Sequence, residues 1–170
     1  LTVAKSLTGR AMNAGEFSFE LVENGEVVAT AVNDANGNVV FGSVTYTRPG
    51  VHNYTIREAK AGTTEAGVTY DGTTFAVRTV VSDNGDGTLS VEHAFVGNVR
   101  IAEFKNVYKP SPTSIALGAA KVLTGKTLAE GQFTFMLTGE NGSSWKAKNA
   151  ASGQVLFPTV AFDKVGVYHY

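Results

Sequence analysis

Leu1-Thr2-Val3-Ala4-Lys5-Ser6-Leu7-Thr8-Gly9 opens the chain. Read as a β-strand, it carries Leu1, Val3, Lys5 and Leu7 on one face and Thr2, Ala4, Ser6 and Thr8 on the other, because side chains two apart share a face. The lysine therefore lies in the apolar row. An amine placed there is costly unless it is neutral, paired or consumed by a reaction. Two further polar side chains are misplaced in the same way, and the three belong together.

Working outward, Leu7-Thr8-Gly9 recurs as Leu123-Thr124-Gly125, and Lys5 matches Lys121 at an offset of 116. The same offset pairs Gly15 with Gly131, Phe17 with Phe133, Phe19 with Phe135, Asn33 with Asn149, Gly37 with Gly153, Phe41 with Phe157 and Tyr54 with Tyr170, without a gap. A fixed internal period is the signature of a tandem array. The first unit is expected over residues 1–109 and a Pro/Ser linker over 110–114, made stiff and extended by its two prolines. Residues 115–170 then form the N-terminal half of a second, homologous unit. Half a sheet domain leaves apolar faces and strand edges open, so this reading expects more chain past Tyr170 or a second chain that completes the half.

Composition narrows the function. A net charge of -1 without a Lys/Arg run argues against nucleic acid or an anionic membrane as partner. No apolar run approaches the roughly 18 residues of a membrane span, and no membrane insertion is expected of this segment. No signal peptide precedes Leu1; the start inside a strand pattern also suits a cut from a longer precursor. The absence of cysteine excludes disulfides and thiolate metal sites, so any staple must be made another way.

The first unit reads as all-β. Strands are expected over 16–22 (Phe17, Phe19 and Leu21 inward), 26–32, 38–46, 51–58, 73–82, 88–96 and 101–108, with turns at Asn24-Gly25, Asn36-Gly37 and 83–87. Residues 59–67 read as a loop. The number and spacing of these strands suggest an immunoglobulin-like sandwich.

Along these strands Glu58 falls in the row of Tyr54 and Ile56, and Asn106 in the row of Phe104 and Tyr108. An amine, a carboxyl and a carboxamide are the ingredients of one reaction. A neutral Lys5 amine attacks the Asn106 carboxamide, ammonia leaves, and an amide joins the two side chains. Glu58, kept protonated by burial, polarises the carbonyl and moves protons from amine to leaving group. An apolar setting favours both states, and proximity makes the aminolysis effectively unimolecular. The bland alternatives are a snorkelling Lys5, an exposed Glu58 at a strand end and an Asn106 that caps a turn.

Lys5-Ser-Leu-Thr-Gly-Arg10, Gly15-Glu-Phe-Ser-Phe19, Tyr54-Thr-Ile-Arg-Glu58, Val68-Thr-Tyr-Asp71 and Phe104-Lys-Asn-Val-Tyr108 resemble the pilin isopeptide linkage domain. That family occurs in streptococcal backbone pilins of the T-antigen type and in repeat stalks of other Gram-positive surface proteins. The resemblance covers the whole first unit, with every motif in order. It implies a CnaB-type, immunoglobulin-like sandwich, a Lys5–Asn106 isopeptide bond and Glu58 as the assisting acid. It also implies a cell-surface or cell-wall location outside a Gram-positive cell, neighbouring repeats of the same protein or pilus as partners, and neither cofactor nor metal. Such a module crosslinks itself once and is not an enzyme. In the second unit Lys121 is the matching crosslink lysine, and its glutamate and asparagine would lie beyond Tyr170. Neither a Leu-Pro-x-Thr-Gly sorting signal nor a clear Tyr-Pro-Lys motif occurs in these residues, so a pilus shaft subunit and a stalk segment of a larger adhesin both fit.

The bond would close a ring from Lys5 to Asn106, worth roughly 4–5 kcal/mol of unfolded-state entropy by the loop-closure model. An adhesin module that binds a host glycan or protein through loops such as 59–67 is the alternative function. Asp83-Asn84-Gly85-Asp86-Gly87 lacks EF-hand spacing and reads as a turn. His52, His93 and His169 lack metal-ligand spacing; His93 is expected to be partly buried. Asp71 reads as a turn cap.

Overall fold

The computed structural model describes residues 1–97 and 99–170. They divide into two units, Leu1–Lys109 and Pro110–Tyr170.

The first unit is built from β1 (Thr2–Thr8), β2 (Ser18–Glu23), β3 (Glu26–Val32), β4 (Asn38–Val40), β5 (Gly50–Glu58), β6 (Thr64–Glu65), β7 (Val68–Thr69), β8 (Thr74–Asp83), β9 (Leu89–Phe95) and β10 (Glu103–Tyr108). These make two five-stranded sheets, ordered β4-β1-β10-β7-β6 and β3-β2-β5-β8-β9. This is the all-β, immunoglobulin-like sandwich that the strand pattern suggests. Alternation does the sorting. Val3 and Lys5 of β1, Phe19 and Leu21 of β2, Tyr54, Ile56 and Glu58 of β5, and Phe104 and Asn106 of β10 are the buried members of their strands. The apolar ones pack as a single core with Phe17, Val39, Phe41, Val68, Val77 and Ala102. Phe104 stacks edge-on against Phe75, ring centroids 5.0 Å apart, and lies 5.2 Å from Phe19.

The pairing of β1 with β10 matters most. The first and last strands of the unit are parallel neighbours, with Lys5 opposite Phe104 and Leu7 opposite Asn106. In a parallel pair, facing partners share a side of the sheet, so Lys5 and Asn106 are diagonal neighbours on the inner face.

Several expected elements come out differently. The strand expected over 38–46 stops at Val40. The Phe41 N–H still donates to the Leu1 carbonyl (3.1 Å), one residue past the last ladder pair, Thr2 opposite Val40. The loop expected over 59–67 contains β6, which turns back onto β7 with Thr64 opposite Thr69. His93 is exposed rather than partly buried. It lies on β9, the outer strand of its sheet, where Val91 is also 47% exposed for want of cover.

The second unit consists of β11 (Thr113–Ile115), β12 (Gly118–Ala120), β13 (Thr134–Thr138), β14 (Ser144–Lys148), β15 (Gln154–Leu156) and β16 (Val160–Phe162). They pair as β11 with β16, β12 with β15 and β13 with β14, all antiparallel. Thr113 and Ser114, read from sequence as linker, already belong to β11. Among the described residues, no helix is long and apolar enough to cross a membrane.

Candidate isopeptide site

Lys5, Glu58 and Asn106 meet between the sheets, and their residues are 4%, 1% and 1% exposed. Snorkelling, exposure at a strand end and turn capping do not describe them. β1 and β10 supply the amine and the carboxamide from one sheet, and β5 sends Glu58 across from the other. Hydrogen bonds connect the three side chains. Lys5 Nζ lies 3.0 Å from Glu58 Oε1, and Asn106 Nδ2 donates to the same oxygen at 3.1 Å. One carboxyl oxygen therefore touches both the nitrogen that would attack and the nitrogen that would leave. Lys5 Nζ also donates to the Phe104 carbonyl at 3.3 Å and sits 4.7 Å from the centroid of the Phe17 ring.

Two opposing effects act on the pair. Burial pushes the Lys5 amine below its ordinary value, against the pull of Glu58. Burial likewise raises the Glu58 carboxyl, against the hydrogen bonds and charge of Lys5. Loss of solvation outweighs the attraction in both, which shifts each group toward its neutral form. A neutral amine that donates to Glu58 and to the Phe104 carbonyl keeps its one lone pair for attack.

The lysine is held by its main chain as well. Its N–H donates to the Gly37 carbonyl at 2.7 Å. Gly37 has φ +86°, and a Cβ there would overlap the Lys5 carbonyl oxygen, so the close approach requires glycine. Asn33, also buried, accepts the Phe17 N–H through Oδ1 (2.8 Å) and donates from Nδ2 to the Asn13 and Asp34 carbonyls. That fixes the start of β2 and with it the ring beneath the amine.

The second unit repeats these features around Lys121. The Lys121 N–H donates to the Gly153 carbonyl at 2.7 Å, and Lys121 Nζ lies 4.7 Å from the Phe133 centroid. Asn149 Oδ1 accepts the Phe133 N–H (2.7 Å), while its Nδ2 donates to the Ala129 and Ala150 carbonyls.

Asp71 is the residue whose part at the site the sequence did not reveal. Its carboxylate accepts the Thr73 N–H (2.8 Å), which is the expected turn cap. It also accepts the Lys105 N–H (2.7 Å), one residue before Asn106. Its own main-chain N–H donates to Asn106 Oδ1 at 2.7 Å and to Glu58 Oε2 at 3.1 Å. Nothing in the side-chain pattern signals a main-chain donor. The only hint was the position of Asp71 at the end of a recognised motif.

The first unit defines a class: an immunoglobulin-like domain that buries an amine, an acid and a carboxamide between its first strand, its last strand and the facing sheet. The chain belongs to the FctA family, the Spy0128-like isopeptide containing domain, whose model matches residues 1–109 and 117–170. Among solved structures it is similar to the major pilin protein (T-13) of Streptococcus pyogenes, at 20% identity and TM-score 0.46, over 95% of this chain and 71% of that one. A crystal structure of the major pilin from Streptococcus pyogenes matches at 20% identity and TM-score 0.46, over 96% and 71%. A single-residue asparagine-to-alanine mutant of the Streptococcus pyogenes major pilin matches at 19% identity and TM-score 0.48, over 96% and 71%. No curated protein matches the chain.

Proposed function

We propose that the first unit is a load-bearing module of a Gram-positive surface pilus or stalk, locked by a Lys5–Asn106 isopeptide bond that it forms itself with Glu58 as proton carrier. The observation that carries this reading is the position of Glu58 Oε1, 3.0 Å from the Lys5 nitrogen and 3.1 Å from the Asn106 nitrogen. Lys5 Nζ attacks Asn106 Cγ, and the carbonyl π pair moves to Oδ1. Glu58 takes a proton from Nζ and delivers one to Nδ2. The pair on Oδ1 re-forms the carbonyl as the Cγ–Nδ2 bond breaks, ammonia departs, and Glu58 ends in the protonation state in which it began. Each chain reacts once, so the module is a self-modifying structural element rather than an enzyme.

Family membership and the parallel neighbourhood of β1 and β10 favour a mechanical role. Tension entering β1 would cross the side-chain amide and leave by β10, so the strands between carry none of it. In the tandem reading, 115–170 is the first half of a second such module, with Lys121 as its crosslink lysine. Neighbouring repeats or pilus subunits are then the partners, outside the cell. Intact mass tests the bond. The full chain is expected one ammonia lighter than its sequence mass, and Glu58→Ala at full mass. A wild-type chain at full sequence mass overturns the reading.

A further inference from the structure

The Asn106 carboxamide has two ends, and the site treats them differently. Its nitrogen faces Glu58. Its oxygen faces the Asp71 N–H at 2.7 Å. The orientation is not free to reverse, because a main-chain N–H requires an acceptor and the amide nitrogen is not one. Glu58, expected from the sequence to polarise the carbonyl, is therefore turned toward the leaving nitrogen. Among the described residues, the hydrogen bond to Asn106 Oδ1 comes from Asp71.

We propose that the main-chain N–H of Asp71 is the electrophilic donor of the crosslinking reaction, and that the Asp71 carboxylate is the device that aims it. The inference rests on the reading of Lys5, Glu58 and Asn106 given above. As Lys5 attacks Cγ, charge gathers on Oδ1, and a donor already 2.7 Å away stabilises it without moving. The same N–H reaches Glu58 Oε2 at 3.1 Å, so a single donor sets the acid and the amide against each other. The donor sits in the connection between β7 and β8, outside the regular ladders. It is anchored because one Asp71 oxygen accepts the Lys105 N–H and the other accepts the Thr73 N–H. Lys105 directly precedes the electrophile, so the Asp71 side chain grips the main chain beside the atom that its own amide polarises. In these terms the Asp71 N–H touches the reacting group, and the Asp71 carboxylate is a positioning group.

The test times bond formation separately from folding. The full chain is recovered unfolded from inclusion bodies and refolded by dilution. Circular dichroism follows folding, and quenched samples are weighed for loss of ammonia. Replacing residue 71 with the α-hydroxy acid counterpart of aspartate turns its N–H into an ester oxygen and keeps the carboxylate. This variant is expected to fold at the wild-type rate and to lose ammonia about 100-fold more slowly, the usual scale for removing one oxyanion donor. Asp71→Ala, which keeps the N–H but frees the connection, is expected to slow the reaction by less. Asp71→Asn, with one carbonyl oxygen left to accept, is expected to recover part of that loss. A purely structural Asp71 predicts the opposite split, in which variants fold poorly but whatever folds reacts at the wild-type rate. An ester variant that reacts within about two-fold of wild type overturns the proposal. If it does not fold, equal rates in folded wild type, Asp71→Asn and Asp71→Ala overturn it. Wild type that never loses ammonia refutes the bond itself, whereas equal rates in wild type and variants refute only the role of Asp71.

Discussion

Asn106→Ala removes the electrophile and leaves Lys5 and Glu58 their mutual contact, so it isolates the bond from the buried pair. With the bond, a chain pulled by its ends is held along residues 1–5, the side-chain link and 106–109. Residues 6–105, one hundred of the 109 in the unit, lie off that path. At about 3.3–3.6 Å per extended residue, roughly 330–360 Å of chain cannot be released by force. Without the bond, pulling shears the ladder between β1 and β10, which runs from Ala4 opposite Glu103 to Thr8 opposite Val107, and that whole length becomes available. Single-molecule force spectroscopy on the full chain between fixed handles measures the difference directly. Asn106→Ala is expected to show an extra unfolding event of about that length, absent from wild type. The second unit contributes equally to both traces. A wild-type trace with the same long extension as the variant refutes the load path and the bond beneath it.

Three further outcomes follow from the same site. In denaturant melts, Asn106→Ala is expected to lose roughly 4–5 kcal/mol relative to the bonded chain, the entropy of opening a ring of this size; a difference under about 1 kcal/mol contradicts ring closure. The refolding chain should crosslink fastest at a pH between the ordinary ranges of a carboxylic acid and a lysine amine. Burial lowers Lys5 from 10.5, so the amine is free below its usual range, and it raises Glu58 from 4.5, so the acid keeps its proton above its usual range. The rate then falls in acid as Lys5 takes up a proton, and falls in alkali as Glu58 loses one. A rate that climbs steadily through pH 10.5, as for an exposed lysine, contradicts this. Gly37→Ala places a methyl group on the Lys5 carbonyl at φ +86°. It is expected to cost about 1–3 kcal/mol in thermal melts and to lower the crosslinked fraction read by mass; an unchanged fraction would show that the Gly37 contact does not place the amine.

Much of this was legible in the sequence because period-2 alternation is a physical filter. Lys5, Glu58 and Asn106 each interrupt an apolar row, and a sandwich has one interior for such rows to share. Gly37 and Gly153 answer one steric demand, and Asn33 and Asn149 one hydrogen-bonding demand. What escaped reading acts through the main chain or depends on what lies opposite. The Asp71 contribution is a backbone N–H, identical in every residue except proline. The exposure of His93 depends on the cover that an outer strand lacks. The parallel pairing of β1 with β10 is a matter of topology, which alternation within a strand does not encode.

The bond itself has the most direct measurement. Loss of one ammonia is also the mark of succinimide formation, and Asn24, Asn36, Asn84 and Asn141 each precede a glycine, so the total mass must be located. Tandem mass spectrometry of a protease digest does so. A branched peptide is predicted, joining the segment that carries Lys5 to the segment that carries Asn106 and surviving reductant. Separate, unmodified Lys5 and Asn106 peptides from the folded chain would contradict the account.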